Sequence, residues 1–146
     1  MATTAQITIT SGILPNFGSY TKSMTMTKAG ALTDITETTG FSRRKLAATT
    51  AVDLITMANE LVEPSDNTAA KVYIKNNGNA AGEIDKTTYV TISIGDTGGT
   101  TQQVGRLYGG DWLLMPVTVV DDMDIVAAPS TDDVVVLEYT MFYEEA

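Results

Sequence analysis

The side chains able to do chemistry in this 146-residue sequence are carboxylates, one basic triplet and a few aromatic rings, for there is no histidine and no cysteine. Ser-His-Asp and Cys-His nucleophilic catalysis are therefore excluded within the chain. Zinc, which favours imidazole and thiolate donors, is disfavoured for the same reason. Acidic side chains cluster at Asp121, Asp122 and Asp124, and again at Asp132 and Asp133. Calcium takes carboxylate and carbonyl oxygens from such loops. The spacing here matches no EF-hand, and solvated turns are the expected reading. Two carboxylates are also the apparatus of glycoside hydrolysis, yet nothing marks any two of these acids as a pair. The glycine-rich stretch Gly95-Asp96-Thr97-Gly98-Gly99 is not followed by Lys-Ser/Thr, so it is no phosphate cradle. The expectation is a protein without enzyme activity, bound metal or cofactor, whose product is a surface.

Two features could belong to such a surface. Arg43-Arg44-Lys45 is the one basic cluster in a chain with nine basic and eighteen acidic residues. It either contacts an acidic patch on a partner subunit or lies in an exposed loop. Three adjacent cations give few phosphate contacts, and a formal charge of −9 with a pI near 4.2 opposes nucleic acid and anionic membrane alike. Trp112, beside the turn Gly109-Gly110, is either an interface anchor or a plug over the end of the core. The core is the expected place. Tyr20, Tyr108 and Trp112 would be the platform if the chain were a carbohydrate-binding module.

The elements that must position these residues read as strands. Gln6-Ile7-Thr8-Ile9-Thr10 alternates and is punctuated by Ser11-Gly12 and Pro15-Asn16-Phe17-Gly18. It is read as an extended N-terminal arm over residues 1–19. Its Ile7 and Ile9 either pair with a neighbouring subunit's sheet or form a peripheral strand at home. Tyr20 to Lys28 alternates with period two, which means strand. Thr50 to Val62 fits a helix, with Thr50 and Asp53 resembling a capping box, and also fits a strand. The strand is preferred because its neighbours are strands.

From Ala70 onward the pattern is clearer. Lys71-Val72-Tyr73-Ile74-Lys75 alternates into Asn76-Asn77-Gly78, a turn signal. Val90, Ile92 and Ile94 share one face of the next run. Gly109-Gly110 reads as a hairpin turn. Trp112 to Val120 is nearly continuous apolar sequence, expected for a strand covered on both sides, with Pro116 implying a bulge or an edge. Met123 to Ala127 is a short strand. Val135, Leu137, Tyr139, Met141 and Tyr143 share a face of the last one. Threonine, roughly a sixth of the chain, suits strands with one wet face. The predicted fold is all-β, an antiparallel β-sandwich of jelly-roll-like kind, with residues 20–146 as a single domain after the arm. The opening Met1-Ala2-Thr3-Thr4-Ala5 lacks a signal peptide's basic and apolar regions, so the protein is expected to be made in cytoplasm.

As an ensemble, Met24-Thr25-Met26-Thr27-Lys28-Ala29-Gly30, Thr39-Gly40-Phe41-Ser42-Arg43, Lys71-Val72-Tyr73-Ile74-Lys75-Asn76, Gly105-Arg106-Leu107-Tyr108-Gly109-Gly110-Asp111-Trp112 and Leu137-Glu138-Tyr139-Thr140-Met141-Phe142 resemble small virion structural proteins of tailed bacteriophages, notably those of marine and cyanobacterial hosts. The resemblance covers most of the chain from Met24. Its motifs are strands and turns, so no catalytic residue is implied. It implies an all-β capsid decoration or cement protein on the virion surface, built as a dimer or trimer and bound to the major capsid protein. A tail-tube, head-fibre or fibre-attachment subunit is the alternative within the virion.

Overall fold

The computed structural model of the chain describes residues 4–10, 19–25, 37–57, 68–84, 86–120 and 122–143. β1 (Thr4–Thr10) and β2 (Ser19–Thr25) form a two-stranded sheet of their own. A five-stranded sheet is built from β3 (Glu37–Thr38), β4 (Ser42–Leu46), β6 (Thr68–Asn76), β9 (Trp112–Val119) and β11 (Val135–Tyr143). The remaining four, β5 (Val52–Ile55), β7 (Tyr89–Gly95), β8 (Thr101–Tyr108) and β10 (Ile125–Pro129), run in the order β5-β10-β7-β8. The strand pairings are antiparallel throughout. The two larger sheets pack face to face around one core, so the molecule is an all-β sandwich, as the alternation predicts.

Period-two alternation decides what goes inside. In β6, Val72 and Ile74 are fully buried, while Lys71, Tyr73 and Lys75 occupy the other face. In β11, Val135, Leu137 and Met141 are buried and Tyr139 and Tyr143 pack against them. The opposing sheet supplies Val90 and Ile92 from β7 and Ile125 and Ala127 from β10. Each of the valines, leucines, isoleucines and methionines among them contributes about 1.5–3 kcal/mol on burial. Among the described residues no helix is long and apolar enough to cross a membrane.

β9 corrects one expectation. It is the outermost strand of its sheet and is covered on its inner side alone, where Leu113, Met115 and Val117 pack on the core and Val119 is buried. Trp112 and Leu114 made the run look continuous, but they lie on the outer face. Pro116 sits opposite Lys71 in this edge strand, where its missing N–H costs no ladder bond.

The Gly109-Gly110 segment is a turn but not a hairpin, because β8 and β9 belong to different sheets. The β6 end explains the change of sheet. Asn76 donates its backbone N–H to the Asp111 carbonyl and accepts from Gly110 N–H. Its buried side chain bonds the Leu107 carbonyl at 3.0 Å and accepts from Gly78 N–H at 2.9 Å. One asparagine thus fastens the end of β8 in one sheet to the end of β6 in the other. Over 50–62 the strand reading holds for Val52–Ile55. Met57 has helical backbone, and 58–62 lie outside the described residues.

Candidate interaction surface

The outer face of the five-stranded sheet is set by register. Tyr73 lies between Leu114 and Thr140, and Lys75 between Trp112 and Glu138. Residues directly opposite across a sheet share a face. β3 and β4 both pair with β11, but the chain leaves the ladder between them at Thr39-Gly40-Phe41. Gly40 has φ +75°, a left-handed backbone that glycine adopts without strain. Thr39 ties the kink to β11, its N–H donating to the Met141 carbonyl and its Oγ1 accepting from Met141 N–H. The kink leaves Phe41 70% exposed, with its ring edge-on to Tyr73 at 6.0 Å between centroids. Tyr73 in turn lies 6.3 Å from the ring of Trp112. Phe41, Tyr73 and Trp112 therefore make an aromatic row across the sheet. Burial first, and then the Glu138 carboxylate, raise the Tyr73 phenol above its ordinary pKa.

The β1–β2 hairpin flanks this row. Ala5, Gln6 and Ile7 line a groove of about 370 Å³ together with Tyr73, Lys75, Trp112 and Leu114. Ile7 is 38% exposed and Ile9 48% exposed. Ile9 is opposite Tyr20, Ile7 opposite Lys22 and Ala5 opposite Met24 in the hairpin register. The hydroxyls of Thr8 and Thr21 bond at 3.1 Å.

Arg43, Arg44 and Lys45 lie on β4, not in a loop. Arg43 pairs with Glu138 of the adjacent strand at 2.9 Å, a largely exposed bridge that contributes at most about 1 kcal/mol. Arg44 donates to the Asp53 carbonyl and so ties the five-stranded sheet to β5 of the other. Lys45 is exposed. Two of the three cations are thus engaged within the molecule, Arg43 on the outer face that also carries Lys75 and Trp112.

The acidic residues divide. Asp132 and Asp133 are exposed: Asp133 bonds locally around Thr131, while Asp132 accepts from the N–H of Thr49, distant in sequence. Asp124 is buried, contrary to the solvated reading, because its Oδ1 accepts from the N–H of buried Met57 at 2.8 Å. Burial first, with Asp53, Asp96 and Asp122 nearby, raises its pKa above the ordinary carboxylate value. Asp121 lies outside the described residues. No group of three or more potential ligands is arranged to hold a metal among the described residues.

Trp112 corrects a second expectation: it is 46% exposed and belongs to the surface, not to the core. Tyr108 does not join it. That ring packs on Tyr89 at 5.4 Å, and Arg106 stacks on Tyr89 from the same sheet. The side chain of Tyr20 is outside the described ones. Phe41 and Tyr73 were not singled out from the sequence. The available signals were Tyr73, out of phase with buried Val72 and Ile74, and a glycine immediately before Phe41.

No family model matches the chain, and no curated protein does. Among solved structures, a chain described under "Bacillus endospore appendages form a novel family of disulfide-linked pili" is similar. The two are 19% identical, the match covers 80% of this chain and 97% of that one, and the TM-score is 0.37. A likeness of that size carries no conclusion about activity or partner.

Proposed function

We propose that the chain is a structural protein of a phage virion, a decoration or cement protein that bridges neighbouring capsid subunits as a small homo-oligomer on the capsid surface. The observation that supports a binding role is the aromatic row Phe41-Tyr73-Trp112, whose end rings are 70% and 46% exposed, on one face of the sandwich. Such rings anchor protein interfaces. The capsid as partner comes from the resemblance of the strand and turn motifs to tailed-phage virion proteins. Cement action needs no chemistry. Many modest contacts, repeated by symmetry, raise the cost of separating the shell.

Native mass spectrometry of the purified protein, with negative-stain images of the same sample, tests the reading. A closed dimer or trimer is expected. Rings or tubes would overturn it in favour of a tail-tube subunit. One observation favours a second reading: the groove beside Tyr73 and Trp112, with Lys75 on its wall, has the size of a small-ligand site. Binding on a glycan array that is lost in Trp112→Ala would make this a carbohydrate-binding module.

A further inference from the structure

We infer that the outer face of the five-stranded sheet docks an acidic protein surface, one whose carboxylates surround an apolar centre. The inference rests on the binding role read above from the aromatic row and names the chemistry of the partner.

Charge is segregated within the molecule. β4, β6, β9 and β11 hold five of the nine basic residues and, in Glu138, one of the eighteen acidic ones. Arg44 is turned towards the Asp53 carbonyl of the other sheet. Register places the remaining four cations on the outer face. Arg43 is opposite Glu138 and Lys45 opposite Val136, while Lys75 lies between Glu138 and Trp112 and Lys71 between Phe142 and Pro116. Glu138 offsets one of them through its bridge to Arg43. The β1–β2 hairpin beside the row adds Lys22 and no acid. These strands thus carry a positive face in a chain of formal charge −9. Carboxylates gather instead beside the four-stranded sheet, where Asp53, Asp96 and Asp122 surround Asp124. An acidic partner is attracted by the one face and repelled by the other, so charge selects both the partner and the side it meets.

The middle of the face supplies the rest of the chemistry. Phe41, Tyr73 and Trp112 cross it, and Lys71 and Lys75 flank Tyr73 along β6. An aromatic centre with a charged rim is the anatomy of a protein interface. Single-stranded nucleic acid, the other polyanion that aromatic rings bind, fits less well. Bases stack on a series of open ring faces, whereas the Phe41 and Tyr73 planes stand at 75° and those of Tyr73 and Trp112 at 35°. Four cations also neutralise few phosphates.

Trp112 is the one tryptophan of the chain, so its fluorescence reports occupancy of this face. A peptide array of constant aromatic content, graded from acidic to basic, is probed with the full chain, and the strongest binder is titrated against Trp112 emission. Binding is expected to rise with acidic content, to shift the emission, and to weaken about tenfold in Arg43→Gln with Lys75→Gln through two lost charge contacts. Lys86→Gln with Arg106→Gln removes the same charge away from the face and is expected to bind as the native chain does. Equal losses in the two variants, or native binding indifferent to peptide charge, overturn the inference. Oligo(dT) that quenches Trp112 more tightly than every peptide overturns it in favour of single-stranded nucleic acid. The charge gradient is read on the native chain and does not depend on how the variants fold. A closed oligomer in native mass spectra without acidic preference sinks this inference and leaves the decoration reading standing. Rings or tubes with a clear acidic preference keep the docking face and sink the decoration reading.

Discussion

At the scale of single residues, two buried polar side chains carry testable weight. Asn76 holds Gly78 N–H and the Leu107 carbonyl at once. Asn76→Ala leaves Gly78 N–H without this partner in a dry site and strips the Leu107 carbonyl of the Asn76 amide, and an orphaned buried group costs about 1–3 kcal/mol. A loss of about 2–4 kcal/mol in urea unfolding is expected, with the transition still cooperative. Asp124 works in the other direction. Its raised pKa means that the folded chain holds a proton at pH values where the unfolded chain has released it. Stability attributable to this group is therefore greatest below the ordinary carboxylate pKa and falls as pH rises through the raised value. Asp124→Asn keeps an oxygen for Met57 N–H and removes the charge. The variant is expected to be more stable than the native chain at pH 7, with the difference vanishing towards pH 3. Equal stability at pH 7 would mean that the buried carboxylate carries no penalty. Neither residue was marked in the sequence, because Asn76 read as part of a turn and Asp124 as one of several solvated acids. Burial of a polar side chain depends on long-range partners, here Leu107 and Met57, that local pattern does not contain.

Elements were more legible than residues. The alternation in β6, β7 and β11 placed Val72, Ile74, Val90, Ile92, Leu137 and Met141 inside, and all six are buried. Binary pattern succeeds there because each strand has one dry face. It failed on β9, where apolar residues on the outer face imitate a doubly covered strand. It failed also at Gly109-Gly110, where glycine marks a reversal without saying which sheet the chain enters next. The arm was legible as a strand, but its partner was not: β1 pairs with β2, so the segment at Ser19–Thr25 accompanies it. This pairing changes what a truncation should remove. Deleting residues 1–25 takes away a complete two-stranded sheet and, among the described residues, none of the buried core cluster. The shortened chain is expected to keep a cooperative thermal transition and its sandwich circular-dichroism signature. Collapse to an unfolded chain would show that the hairpin is required for the sandwich itself.

At the scale of the whole molecule, the question is whether one chain is a finished structure. Folding a sandwich alone gives a stability independent of concentration, because folded and unfolded states each contain one chain. Folding coupled to association does not, since mass action favours the associated native state as concentration rises. The exposed Ile7, Ile9, Phe41 and Trp112 leave this chain with apolar surface on both the arm and the sheet. The thermal midpoint of the full chain is therefore expected to climb across a hundredfold range of protein concentration. The midpoint of the chain lacking residues 1–25 is expected to stay fixed over the same range. A full-length midpoint that does not move would mean that a single copy is complete and that the arm adds nothing to its stability. Parallel rises in both forms would place the association on the sandwich alone. Differential scanning calorimetry on the two proteins separates these cases, because it reads the energetic link between folding and association without requiring a capsid.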